Sequence, residues 1–117
     1  MAELLIDNGA LRVRLCPLEK LGALRGDITI PLTTVTAVRV SDDPWSELRG
    51  IRAPGTGLPG VISLCTRRGK GIRDFAAVYG RSGRAVVIET NGARFDRLVI
   101  SREEAAETAQ RIRQSLT

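Results

Sequence analysis

The sequence predicts a mostly β protein, a roughly seven-stranded antiparallel sandwich or open barrel capped by one C-terminal amphipathic helix. Three observations predict this fold. Short segments alternate apolar and polar residues, glycine-bearing turns separate many of them, and the periodicity becomes helical after Ser101. We expect one domain over residues 1–117, with strands between about 3 and 100 and the helix from about 102 to 116.

The first half of the chain contains four strand-like segments and one helical segment. The turn Asp7-Asn8-Gly9 favours a hairpin between the first two segments. The predicted strands cover residues 4–6, 10–15, 27–30 and 36–40. Between residues 17 and 26, leucines recur every three positions, which indicates a short helical or irregular crossing.

The second half contains four further predicted strands, at residues 61–66, 73–79, 84–90 and 95–100. Their connections, RRGKG, GRSG and NGA, are short and contain glycine, as antiparallel hairpins require. Ser101 and Glu104 have the spacing of a helical capping box. One face of the following helix collects Ala105, Ala109, Ile112 and Leu116. We expect this face to cover the open mouth or an edge of the barrel.

Residues 49–60 contain the spacing G-x-G-x-x-G at Gly55, Gly57 and Gly60. A dinucleotide fingerprint needs a strand before these glycines and a helix after them. Here a polar stretch precedes them, a strand-like run follows, and Pro59 lies among them. We therefore interpret the segment as a loop, reject the fingerprint and expect no cofactor.

The composition argues against most enzymes. The chain has no histidine, the usual general base and the commonest metal ligand. The spacing of Cys16 and Cys65 suits no metal, so we interpret both as inert thiols. No basic leader or membrane-length apolar run is present, which predicts a cytoplasmic protein without a transmembrane segment. The net charge is +5, with sixteen arginines against two lysines.

Several stretches resemble small bacterial, especially actinobacterial, pleckstrin-homology-like (PH-like) domains. Their strand, Pro-Leu-Ser/Thr and strand pattern is similar to ITIPLTTVTAVRV. Their Pro-Gly-Thr-x-x-Pro-Gly loop, basic hairpin and Asp-Phe strand are similar to RAPGTGLPGVISLCTRRGKGIRDFAAV, and their last strand to FDRLVIS. Arg12 and Arg14 match the second-strand pattern of phosphoinositide-binding members, whereas the first strand lacks their lysine. The resemblance implies a binding scaffold of undefined function.

Basic residues form the main candidate site. Because successive hairpin turns lie at opposite ends of a sheet, the first group should share one end; it contains Arg67, Arg68, Lys70, Arg73 and Arg94. The second group, predicted at the other end beside the glycine loop, contains Arg49, Arg52, Arg81 and Arg84. We interpret the first group as a candidate anion- or partner-binding site, with ordinary solvated hairpin charge as the alternative.

Secondary candidates lie in and beside the stretch SDDPWSEL. Trp45 either anchors a partner or folds back over the core, and Arg49 and Arg52 leave weak anion binding open. The acidic residues Asp42, Asp43 and Glu47 fit turn capping better than cation binding. The remaining aromatic residues, Phe75, Tyr79 and Phe95, are expected to pack in the core or on a sheet face.

We therefore expect a non-catalytic PH-like binding or assembly module for a protein partner or for self-association. One alternative is a peripheral binder of anionic lipid through the basic hairpin loops. Another is a small-ligand binder or enzyme that uses a cavity in the barrel. Four aromatic residues are few for base stacking, which argues against nucleic acid.

Overall fold

The computed structural model describes residues 2–23, 26–49, 51–58, 62–80 and 83–116. Within them, nine strands form two sheets: β1 (Glu3–Asp7), β2 (Ala10–Arg14), β3 (Ile28–Pro31), β4 (Val35–Ser41), β5 (Ile51–Leu58), β6 (Ile62–Gly69), β7 (Ile72–Tyr79), β8 (Ala85–Thr90) and β9 (Arg97–Ser101). Two α-helices accompany them, α1 (Pro17–Ala23) and α2 (Ala105–Ser115). The predicted mostly β class and the C-terminal helix are confirmed, and the segment expected to be a short helical or irregular crossing contains α1.

The strands are divided between a three-stranded and a six-stranded sheet. The first has the order β1-β2-β3, and the second the order β4-β8-β9-β7-β6-β5. Both sheets are open within the described residues. A roughly seven-stranded fold was expected, eight strand-like segments were identified in the sequence, and nine strands are described.

The described strand without a predicted counterpart is β5, in the segment interpreted from sequence as a loop. That interpretation was wrong: Gly55 pairs with Cys65 and Gly57 pairs with Ser63. The register shifts between Arg52 and Gly55, so Pro54 lies in a bulge of an edge strand, where the sheet tolerates a missing N–H donor. Because Gly55 and Gly57 lie within a strand, their conformation supports the rejection of the dinucleotide fingerprint. Gly60 lies outside the described residues.

The prediction that β7 and β8 form a hairpin was also wrong. Strand β9 lies between them, antiparallel to β8 and parallel to β7, with Asp74 beside Arg97. The fully antiparallel arrangement expected from the short connections was therefore wrong for this pair. A short glycine-bearing connection specifies that the chain reverses, but it does not require the two strands to be neighbours.

The core lies between the two sheets and beneath α2. Phe75, Leu98 and Ile100 of the larger sheet are fully buried there, opposite Leu11 and Ile30 of the smaller one. A smaller apolar cluster lies on the other face of the six-stranded sheet; it comprises Ala76, Val78, Ala85, Val87 and Val99. Its cover comes from residues 42–49, which join β4 to the start of β5.

Helix α2 packs against both sheets and contacts β1 and β4, an edge strand of each sheet. Its Arg111 donates a hydrogen bond to the Leu4 carbonyl of β1 (3.4 Å), and its Arg113 donates two to the Val38 carbonyl of β4 (2.6 and 2.9 Å). The expectation that this helix covers an edge is met, although Leu116, expected on the apolar face, is 38% exposed.

The predicted capping box at α2 does not form. Ser101 belongs to β9 and its hydroxyl accepts a hydrogen bond from the Tyr79 N–H at 3.0 Å, while Glu104 makes no side-chain capping bond. Half of a capping box occurs instead at α1, where the Glu19 carboxylate accepts the Cys16 N–H at 3.0 Å. The other Glu19 oxygen accepts the Tyr79 hydroxyl at 2.5 Å.

Candidate anion-binding site

Three arginines surround one recess at the end of the six-stranded sheet. The recess encloses about 150 Å³ and is lined by Thr66, Arg68, Arg73, Arg94 and Phe95. We refer to these five residues as the basic recess. Arg68 and Arg73 are directly paired across β6 and β7, and Arg94 enters from the connection between β8 and β9.

The strand periodicity explains why these side chains converge. Thr66 and Arg68 continue the face of β6 that carries the core residue Leu64, and Arg73 shares its face of β7 with Phe75. Arg68 and Arg73 therefore extend the core-facing side of the sheet to its end. Phe95 is 3% exposed, and its ring lies 6.0 Å from that of Phe75, so an apolar floor supports the charged rim.

The basic recess has an excess of positive charge. Among the described residues, neither Arg68 nor Arg94 has an ion-pair or hydrogen-bond partner, and both are exposed. Arg73 pairs with Asp96 at 3.3 Å, and this pair is exposed enough for water to weaken it. The backbone N–H of Asp96 also donates to the Arg73 carbonyl at 2.6 Å, which fixes the connection that carries Arg94.

Two members of the predicted first group lie outside the recess. Arg67 projects to the opposite face of β6, where its Nε donates to the Arg49 carbonyl at 3.0 Å. Lys70 is exposed in the turn between β6 and β7, where Gly71 adopts a φ of 71° that favours glycine. The structure thus brings together Arg68, Arg73 and Arg94.

The second basic group was partly misplaced. Ile51 pairs with Arg68 and Arg52 pairs with Arg67, so β5 begins at the end of the sheet that holds the basic recess. Arg49 reaches the same end and binds Asp74 with two hydrogen bonds of 2.7 and 2.8 Å. The error came from treating β5 as a loop.

Arg84 lies at the opposite end of the sheet, beside Ala85, and pairs with Asp42 at 3.0 Å. Arg81 lies outside the described residues.

Trp45 folds back over the protein. It packs against the smaller apolar cluster, and its indole N–H donates to the Gly80 carbonyl at 2.6 Å.

The same segment carries Glu47, which was interpreted as a turn-capping residue. Glu47 instead binds Arg39 through two hydrogen bonds of 2.7 and 2.8 Å. Asp43 makes no side-chain capping bond.

A charged network on this face was missed from the sequence. Glu89, Arg97, Asp74 and Arg67 are successive partners across β8, β9, β7 and β6, so their charges alternate in one row. Arg97 binds Glu89 at 3.0 Å and donates to the Glu47 carbonyl at 3.1 Å. The only sequence signal was that opposite charges stand near the ends of neighbouring strands.

The network shifts the ionisation of its members. Hydrogen bonds from Arg39 lower the pKa of Glu47, with burial opposing the shift. The bond to Asp74 raises the pKa of Arg49 above its ordinary value. Each of these ion pairs is therefore favoured in the folded protein, and together they hold residues 42–49 on the sheet.

A second, wider groove of about 470 Å³ lies beside β2 and α1. Its arginines are neutralised: Arg12 pairs with Asp27 at 3.0 Å and Arg14 with Glu3 at 3.2 Å. The hydrogen bond from the Leu15 N–H lowers the pKa of Asp27. Arg12 and Lys20 also lower this pKa, while burial opposes the shift. The two arginines that match the lipid-binding pattern are therefore already engaged with carboxylates.

We next examined the described residues for metal-binding groups and reactive thiols. Their cysteine, aspartate and glutamate side chains form no group of three that could hold a metal ion. Cys16 is exposed, Cys65 is buried, and both are free thiols. No described helix is long and apolar enough to cross a membrane. Comparisons with models of protein families, curated proteins and solved structures found no match.

Proposed function

We propose that the chain is a non-catalytic, PH-like binding module whose basic recess engages an acidic segment of a protein partner. One observation carries this proposal: arginines from the paired strands β6 and β7 and from the connection between β8 and β9 converge on one recess, and two of them have no partner among the described residues. The planar fork of arginine binds carboxylate and phosphate oxygens bidentately, so such a group is suited to anion recognition. The sequence resemblance and the terminal helix support the PH-like assignment.

Among the residues that line the basic recess, no large apolar side chain is exposed, and this favours a protein partner over a bilayer. Stable attachment to a membrane usually combines positive charge with apolar groups that enter the lipid. The large apolar side chain of the recess, Phe95, is 3% exposed and belongs to its floor. Binding to anionic lipid is therefore treated as an alternative outcome of the test.

The test uses a fluorescent ten-residue peptide of alternating Glu and Gly, with a Gln-Gly peptide as its uncharged counterpart. We expect fluorescence anisotropy to detect binding of the Glu peptide at low salt, with weaker binding as salt rises. Arg68→Ala combined with Arg94→Ala should abolish this binding. Neither side chain makes a hydrogen bond or ion pair among the described residues, so the fold should be retained.

The matched control is Arg12→Ala with Arg14→Ala, which removes the same charge from exposed positions on β2. If the two double variants lose binding equally, net charge alone is responsible and the assigned site is wrong. Sedimentation with vesicles containing anionic lipid completes the experiment. Binding to vesicles without binding to the Glu peptide would replace the proposed function with the lipid alternative.

A further inference from the structure

We propose that the acidic group held by the basic recess is a phosphomonoester on the partner protein, such as a phosphorylated serine. This inference rests on the proposed function and names the chemistry of its ligand. It depends on the charge, the size and the arginine geometry of the recess.

The charge of the basic recess exceeds what one carboxylate would balance. Arg68 and Arg73 are direct cross-strand neighbours, an arrangement in which like charges repel unless an anion lies between them. Arg94 adds a third cation, and Asp96 offsets part of the charge of Arg73 only. A phosphomonoester carries a charge of about −1.5 to −2 at neutral pH and presents three acceptor oxygens, which matches several guanidinium groups at once.

The size of the recess favours a small terminal group. Its volume of about 150 Å³ is that of a few water molecules. Pockets that enclose a whole drug-sized ligand measure about 300 Å³ or more. A tetrahedral phosphate group fits inside while the chain that carries it remains outside.

The described side chains at the basic recess include no histidine, the residue whose ordinary pKa lies near neutrality. The charged residues that face the recess are three arginines and Asp96, Lys70 lies in the adjacent turn, and the chain has no histidine. Arginine stays protonated throughout this range. A change in affinity between pH 5 and 7.5 must therefore come from the second ionisation of the phosphate, whose pKa is about 6.

The test compares three fluorescent Gly-Ser peptides that differ at their central residue: phosphoserine, glutamate or serine. At pH 7.5 we expect the phosphoserine peptide to bind at least about tenfold more tightly than the glutamate peptide. This advantage should shrink to about threefold or less at pH 5 as the phosphate loses its second charge. Arg68→Lys keeps the charge but removes the fork, and should weaken phosphopeptide binding by about tenfold.

The outcomes separate this inference from the proposed function. Equal affinity for the phosphoserine and glutamate peptides would overturn the inference and leave the proposed function standing. If inorganic phosphate binds while no peptide does, the source is a free phosphate and the assignment to a partner protein is wrong. If no probe binds, both proposals fail.

Discussion

Glu47→Gln should destabilise the protein by weakening the attachment of residues 42–49 to the six-stranded sheet. The substitution keeps the shape of the side chain and removes its charge. In the folded protein, Glu47 is 17% exposed and accepts two hydrogen bonds of 2.7 and 2.8 Å from Arg39. Arg97 also lies 3.8 Å from its carboxylate.

The magnitude follows from what is lost and what remains. A hydrogen bond to a charged group contributes about 1.5–3 kcal/mol. Arg39 is 38% exposed, so water replaces part of this interaction, and Arg39 and Arg97 retain Glu89 as an ion-pair partner. We therefore expect a loss of about 1–2 kcal/mol in the free energy of unfolding. For a chain of this size, the melting temperature should fall by about 3–8 °C.

The effect should depend on pH in a defined direction. Arg39 holds the folded-state pKa of Glu47 below its ordinary value of 4.5. The stabilisation is therefore present above that ordinary value, and it is lost as pH falls through the lower folded-state pKa. The difference between wild type and Glu47→Gln should be full at neutral pH and should shrink as the pH falls below 4.5.

Urea unfolding followed by tryptophan fluorescence measures this difference directly, because Trp45 is the only tryptophan and lies in the same segment. Glu103→Gln, at an exposed position before α2, is the matched control and should change stability by less than about 0.5 kcal/mol. A Glu47→Gln effect that is equally large at neutral and acidic pH would refute an explanation based on charge. So would an effect no larger than that of the control.

Three further predictions concern the core and the sheet edges. Phe75→Ala empties a fully buried site and should cost about 3–5 kcal/mol in urea unfolding, and a cost below about 1 kcal/mol would contradict the packing described. Burial and Glu19 raise the pKa of Tyr79, so its tyrosinate absorbance should appear only above the ordinary value of 10. Because the folded-state pKa is raised, the contribution of Tyr79 to stability is full below pH 10 and declines above it. Titration of Tyr79 at the ordinary value would exclude its hydrogen bond to Glu19. Arg113→Met removes the donor to the Val38 carbonyl on edge strand β4, and light scattering should then detect more self-association than in wild type.

The sequence was sufficient to predict the end of the sheet at which Arg68, Arg73 and Arg94 meet. That inference required only that each short connection reverse the chain, and it survives the insertion of β9 between β7 and β8. The order of the strands was beyond local patterns, because a hairpin signal contains no information about which strand lies beside which. Strand β5 was missed because glycine and proline lower strand propensity, whereas pairing with β6 determines its backbone.

The charged network shows a different limit of the sequence. Arg49 and Asp74 are 25 positions apart, and Arg97 reaches the Glu47 carbonyl across 50 positions. Residue type alone cannot distinguish the arginines of the charged network from the exposed arginines of the basic recess. Burial separates the two sets, since the side chain of Arg97 is 17% exposed while that of Arg73 is 60% exposed.

The position of α2 in the chain has a consequence for protein synthesis. The helix follows all nine described strands, yet its arginines donate to carbonyls of Leu4 and Val38, 107 and 75 positions earlier. During translation, these hydrogen bonds to β1 and β4 can form only after Arg111 and Arg113 have been synthesised and have left the ribosome. At typical elongation rates of about 5–20 residues per second, this interval is several seconds or more. During it, the nascent strands β1 and β4 lack the hydrogen bonds from α2.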